Sequence, residues 1–156
     1  MAKTEMPMVG EKAPAFSGVD QNGSKIKLSD FKGQKVVLYF YPKDNTPGCT
    51  KQACNLRDNW SLLMKNGIAV IGVSADSIES HHKFADKYSL PFPLIADSAK
   101  KILTAYGAWG EKNMYGIVRM GIKRTTFLIG ENGKILHVFK KPKTADHTAE
   151  ILSKLA

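Results

Sequence analysis

The chain has 156 residues and a mass of 17.2 kDa, long enough to bury one core without disulfide or metal staples. Its 43% hydrophobic and 24% charged residues exclude a disordered or collagen-like chain, and no apolar run approaches the ~20 residues that cross a bilayer. Lys+Arg outnumber Asp+Glu by 23 to 14, a formal +9, yet Arg57, Arg119 and Arg124 are the only arginines and the lysines are scattered, so no nucleic-acid partner is expected.

Residues 1–14 are polar, carry Pro7 and Pro14, and are expected to be irregular. They include no apolar stretch of the length a secretory leader needs, which predicts a reducing, cytoplasmic location. Residues 15–19 and 25–28 flank Asn22-Gly23, a dipeptide suited to a tight hairpin turn. Residues 35–41 (KVVLYFY) read as a buried central strand that Pro42 ends. A helix is expected over 47–65, with Thr46 as N-cap, Pro47 in the first helical position and Gly67 just past the end. Residues 68–74 (IAVIGVS) form a second buried strand and residues 77–88 a helix stopped before Pro91 and Pro93. A short strand at 94–96 and a helix near 99–106 follow. Residues 123–129 and 134–140 are strands joined around Asn132-Gly133, and residues 144–155 form a terminal helix.

Strand, helix, strand in that order predicts a parallel pair, and the late hairpin adds antiparallel strands. The expected architecture is one α/β domain spanning 1–156, a central mixed β-sheet flanked by helices with an N-terminal β-hairpin.

The two cysteines, Cys49 and Cys54, cannot build a disulfide framework or a four-cysteine zinc site. On a helix, Ala53, Leu56, Trp60 and Leu63 fall within about 40° of Cys49, which places this thiol on the core-facing stripe. Cys54 lies about 140° away, among Arg57, Asp58, Ser61 and Lys65 on the polar face. Cys49 also sits in the first turn, where free N–H groups and the dipole favour a negative sulfur. Five residues of helix separate the Cα atoms by roughly 8.5–9 Å, beyond the ~7 Å limit of a disulfide. A Cys49–Cys54 bond therefore requires the start of the helix to unwind. The spacing is not C-x-x-C, which argues against a general dithiol–disulfide exchanger.

The segment Tyr39-Phe-Tyr-Pro-Lys-Asp-Asn-Thr-Pro-Gly-Cys-Thr-Lys-Gln-Ala-Cys54 resembles the active-site segment of the peroxiredoxins, closest to the peroxiredoxin Q group, also called bacterioferritin comigratory protein. The pattern P-x-x-x-[T/S]-x-x-C is met by Pro42, Thr46 and Cys49, and the second cysteine five residues on is typical of that group. Downstream, Gly121-Ile-Lys-Arg124-Thr-Thr-Phe127-Leu-Ile129 is similar to the family's arginine-bearing strand. The likeness runs from about Pro14 into the terminal helix. One departure is Gly130, where similar sequences often carry Asp; it lies at a turn and touches no chemistry.

The resemblance implies a thioredoxin-like fold and a thiol peroxidase that uses no metal, haem, flavin or other cofactor. It implies Cys49 as the peroxidatic and Cys54 as the resolving cysteine. It also implies that Thr46 and Arg124 activate the thiolate and the peroxide, and that Pro42 shields the pocket. The substrates would be hydrogen peroxide and organic hydroperoxides, the reductant thioredoxin, and the working unit a monomer. An always-cationic Arg124 suits charge on sulfur and on the departing oxygen, while the Thr46 hydroxyl can accept from peroxide and donate to sulfur.

Rival readings attach to the same residues. A thiol–disulfide exchange protein would reduce protein disulfides without fast peroxide reaction. A nucleic-acid module would bind with steep salt dependence, indifferent to Cys49. Taken alone, Thr46 is a helix cap and Arg124 a strand-edge charge, with Arg119 the other candidate cation. His81-His82 read as a packed or solvated helix face, since adjacent side chains diverge by about 100°. Trp109 and Tyr115 read as packing or as a loop lining the site.

Overall fold

The computed structural model describes residues 6–155, so the expectation for residues 1–5 lies outside the described part. Strands β1 (Ser17–Val19) and β2 (Lys25–Lys27) pair antiparallel and lead into a 3-10 turn at Leu28–Phe31. Then come β3 (Lys35–Phe40), α1 (Pro47–Asp58), α2 (Trp60–Lys65), β4 (Ile68–Ser74), α3 (Ile78–Tyr88), β5 (Leu94–Ala96) and α4 (Lys101–Ala105). The chain finishes with β6 (Trp109–Met114), β7 (Ile117–Ile122), β8 (Thr125–Ile129), β9 (Ile135–Phe139) and α5 (His147–Ser153).

Seven strands form one sheet in the order β2-β1-β5-β4-β3-β8-β9. The inner strands β3, β4 and β5 run parallel, and β8 and β9 add the antiparallel side. Strand β3 lies inside the sheet, between β4 and β8, because it is apolar on both faces. Its alternation divides two cores: Val37, Tyr39 and, just past its end, Tyr41 pack with α1, α2, α3 and α5, whereas Val36, Leu38 and Phe40 pack with α4. Gly72 of β4 lies opposite Tyr39, and a Cβ there would meet the Tyr39 ring at 2.9 Å, so glycine is what lets that ring lie flat on the sheet.

The mixed sheet, the flanking helices and both hairpins agree with expectation. Several details do not. The expected helix over 47–65 is two helices meeting at Asn59, whose backbone (φ −108°, ψ 17°) leaves the helical region. The Asn59 side-chain amide competes for the helix's own acceptor by donating to the Asn55 carbonyl at 2.8 Å. The loop around Asn22-Gly23 is wider than a two-residue turn, because Asp20 Oδ1 accepts from both Asn22 N and Ser24 N and organises residues 20–24. Residues 109–122, not expected to be strands, form the separate β6–β7 hairpin. Tyr115 stands fully exposed at its tip, so it neither packs with Trp109 nor forms an aromatic cluster. The hairpin's few buried positions and paired Gly110 and Gly121 hide its strand pattern from periodicity.

Candidate active site

Strand β3 ends inside the sheet, and residues 41–46 lead from it into α1. Pro47 occupies the first helical position, where its missing N–H costs nothing, and Cys49 follows in the same turn. Cys49 is 1% exposed and packs with Val37, Tyr39 and Ala53. Cys54 is half-buried, and both thiols are free. The angular separation expected from the helix is thus realised, with Cys49, Ala53, Leu56 and Leu63 buried on one stripe.

Arg124 lies in the short link between β7 and β8. The antiparallel pairing of β8 with β3 brings that link above the start of α1. Its Nη2 donates to Cys49 Sγ at 3.2 Å, and its Nη1 donates to Gln52 Oε1 at 2.7 Å. A guanidinium has no acceptor, so the sulfur must receive this hydrogen bond, the arrangement that stabilises a thiolate. Gly48 makes the approach possible: a Cβ there would stand 3.2 Å from Arg124 Nη2. Arg119, the other candidate cation, lies exposed on the β6–β7 hairpin opposite Lys112 and takes no part.

Thr46 occupies the N-cap position as expected, but its side chain caps nothing. Its Oγ1 donates to the Lys43 carbonyl at 2.8 Å. The single hydroxyl proton is therefore spent within the loop and does not reach sulfur, while the oxygen keeps lone pairs to accept a proton from a peroxide. Pro42 is half-buried in the same loop.

Gln52 escaped sequence reasoning. It is completely buried, its Oε1 holds Arg124, and its Nε2 has no hydrogen-bond partner among the described residues. The signal was available, because a residue three positions on lies about 60° from Cys49 on the helix, so a polar side chain falls on the core stripe. Beneath the site, burial holds the Tyr39 phenol well above its ordinary range; Asp44 and Cys49 add to the shift and Arg124 opposes it. Burial also lowers His147 of α5 below the usual imidazole range, although Glu150 pulls it upward.

A second polar cluster lies behind residues 41–46. Ligand-type atoms of Asp44, Asp76 and His81 fall within 4.8 Å of one another. They are already one another's partners: His81 Nδ1 meets Asp44 Oδ2 at 2.6 Å, and Asp44 N and Ser74 Oγ both donate to Asp76 Oδ2. His81 is fully buried, which settles the packed alternative for that residue, while His82 is exposed.

A sulfur nucleophile under a guanidinium, at a helix start and with a second thiol on the same helix, is the chemistry of peroxide-reducing thiols. The comparisons agree. Residues 9–138 match the model of the AhpC/TSA family. The chain belongs to the AhpC/TSA family. Within it, the chain is 47% identical over 144 residues to Peroxiredoxin Bcp of Escherichia coli strain K12, covering 92% of each chain. Among solved structures it is similar to PrxQ of Xylella fastidiosa, with TM-score 0.89 and 34% identity over 97% of this chain and 96% of that one. It is also similar to the bacterioferritin comigratory protein of Xanthomonas campestris, a structure described in terms of alkyl peroxide reduction, with TM-score 0.84 and 35% identity over 90% and 89% of the two chains. This AhpC/TSA member is a peroxiredoxin of the Bcp/peroxiredoxin Q group with a thioredoxin-like fold, and it is a thiol peroxidase. Peroxiredoxins as a family act on peroxide substrates with thioredoxin-type reductants. No helix among the described residues is long and apolar enough to cross a membrane.

Proposed function

We propose that Cys49 is the peroxidatic cysteine and Cys54 the resolving cysteine of an enzyme that reduces hydrogen peroxide and organic hydroperoxides. The contact between Arg124 Nη2 and Cys49 Sγ carries this reading, because it fixes a permanently cationic guanidinium beside the sulfur that must attack. The sulfur electron pair attacks one peroxide oxygen, the O–O bond breaks, and the other oxygen leaves as hydroxide or alkoxide and takes up a proton. Arg124 faces the charge developing on that oxygen, Thr46 Oγ1 accepts from the peroxide hydrogen, and Pro42 screens the loop from water. Cys49 becomes a sulfenic acid. The start of α1 unwinds, the Cys54 thiolate attacks Cys49 Sγ, water is expelled and an intramolecular disulfide forms. Thioredoxin then reduces that disulfide by exchange, through a mixed disulfide. Each chain holds both cysteines, so a monomer suffices. The work belongs to the cytoplasm, with no nucleic-acid partner.

Intact mass after one equivalent of hydrogen peroxide tests the assignment. Wild type should lose two hydrogens, Cys54→Ser should gain one oxygen, and Cys49→Ser should stay unchanged. An unreacted wild-type mass, or steady-state turnover retained in Cys49→Ser, overturns it.

A further inference from the structure

We propose that His81, acting through Asp44, is a positioning residue for the reaction at Cys49: it fastens the upstream end of the active-site loop to α3, so that unwinding of α1 is confined to residues 46–54. This inference rests on the roles proposed for Cys49 and Cys54 and adds where the moving segment begins and ends.

The upstream fastening is a buried network. His81 is 0% exposed on α3, one turn after Ser77 caps that helix. Its Nε2 faces the Ile95 carbonyl at 2.9 Å, and a carbonyl only accepts, so Nε2 carries a hydrogen and ties the ring to β5. Its Nδ1 lies 2.6 Å from Asp44 Oδ2, a contact that requires a proton between the two atoms. Asp44 Oδ1 accepts from Tyr41 Oη at 2.6 Å, and Oδ2 accepts from Ser80 Oγ at 2.8 Å. The Asp44 amide donates to Asp76 Oδ2 at 2.9 Å. Asp44 is thereby tied to the ends of β3 and β4 and to α3, two residues before Thr46.

The downstream fastening is separate. Asn55 Nδ2 donates to the Ala145 carbonyl at 3.1 Å, and Asn55 Oδ1 accepts from Thr148 N at 2.8 Å. Arg57 Nη1 donates to the Tyr88 carbonyl at 2.7 Å. Between these two anchors, the side-chain hydrogen bonds that reach residues 46–54 from other elements, among the described residues, come from Arg124 alone. One of them ends on the sulfur that oxidation changes. The span contains both cysteines, so it can deliver Cys54 to Cys49 while both anchors stay in place.

Removing the link from His81 leaves the buried Asp44 carboxylate with two hydroxyl donors and no ring. A buried charged group that loses a partner costs more than a neutral one. The loop then holds Cys49 less firmly against Arg124.

Two variants separate positioning from general packing. The His81→Asn amide sits where Nδ1 was and keeps a donor on Asp44, but loses Ile95. The longer His81→Gln side chain reaches Ile95 and abandons Asp44. Rapid-quench intact mass resolves two steps: uptake of one oxygen, whose rate scales with peroxide, and disulfide closure in the absence of reductant, whose rate does not. His81→Gln should slow oxygen uptake about tenfold and speed closure severalfold, the scale of one buried hydrogen bond to a charged group, whereas His81→Asn should stay within about twofold on both. Equal behaviour of the two variants overturns the proposal.

Amide hydrogen exchange on the wild-type protein supplies a measurement that depends on no variant. In the disulfide form, the amides of residues 50–58, whose helical acceptors lie in 46–54, should lose protection, while Tyr41, Asp44 and the amides from Asn59 onward keep it. Loss of protection at Tyr41 or Asp44 in a properly formed disulfide overturns this inference alone. A chain whose mass shows neither added oxygen nor lost hydrogens overturns the cysteine roles, and this inference with them.

Discussion

Cys49 and Cys54 share one helix and almost nothing else. Cys49 is sealed from solvent, packed on β3 and held under a guanidinium that Gln52 braces from its other side. Cys54 is half-buried on the outer side of α1; Arg57, one turn further on, is the cation whose already high pKa it helps to raise, after the larger effect of Asp58. The difference shows how a single helix provides two thiols for two tasks. The buried one needs fixed charge at the moment of attack. The outer one needs to travel, and among the described residues no side-chain hydrogen bond from Cys54 itself ties it to another element.

The contrast is broken most severely at Arg124. Arg124→Ala should slow oxidation of Cys49 by about 10²–10³-fold, the usual scale for removing one fixed donor at a developing charge, while the melting temperature shifts little. Stopped-flow oxidation under single-turnover conditions checks this; equal rates would move the electrostatic role elsewhere. Gln52→Ala should cost less, about tenfold, because the guanidinium remains and loses only its brace. A Gln52→Glu variant should recover most of that rate, since a carboxylate oxygen can still accept from Nη1.

Changes behind Cys54 should sharpen the contrast from the other side. Asn55→Ala removes the acceptor of Thr148 N at the start of α5 and should cost about 1–2 kcal/mol in urea unfolding, with oxidation of Cys49 within twofold of wild type. The smallest effect concerns pH. Burial places the folded pKa of His147 below its ordinary 6.5. The unfolded chain then binds the proton more readily, so the contribution of this residue to stability is complete above pH 6.5 and is lost as pH falls below it. A His147→Gln variant should show a flatter decline of urea stability between pH 7 and pH 5; an unchanged slope would assign the acid sensitivity to other groups.

Much of this was legible in the chain. Strand β4 and strand β5 lie where continuous apolar runs place them, and β3 differs by one residue, because a strand apolar on both faces can be satisfied only in the middle of a sheet. The opposite faces of Cys49 and Cys54 followed from helix geometry alone. The β6–β7 hairpin was not legible, because its exposed Ile117, Val118 and Met120 break the relation between apolarity and burial. Thr46 misled for a different reason. Its residue type and position signal a cap, but a nearer acceptor, the Lys43 carbonyl, takes its only hydrogen.

The order of strands and helices, the helix start at Pro47 and the inequality of the two thiols are local properties, set by period, propensity and spacing within a few residues. The pairing of Arg124 with Cys49, 75 residues apart, is not, nor is the brace from Gln52 or the fastening of Asp44 by His81, 37 residues away. Those depend on which strands lie side by side and on how a buried charge finds its partners. Tertiary structure decides them, because hydrogen bonds between distant residues are selected only once the core that brings them together has formed.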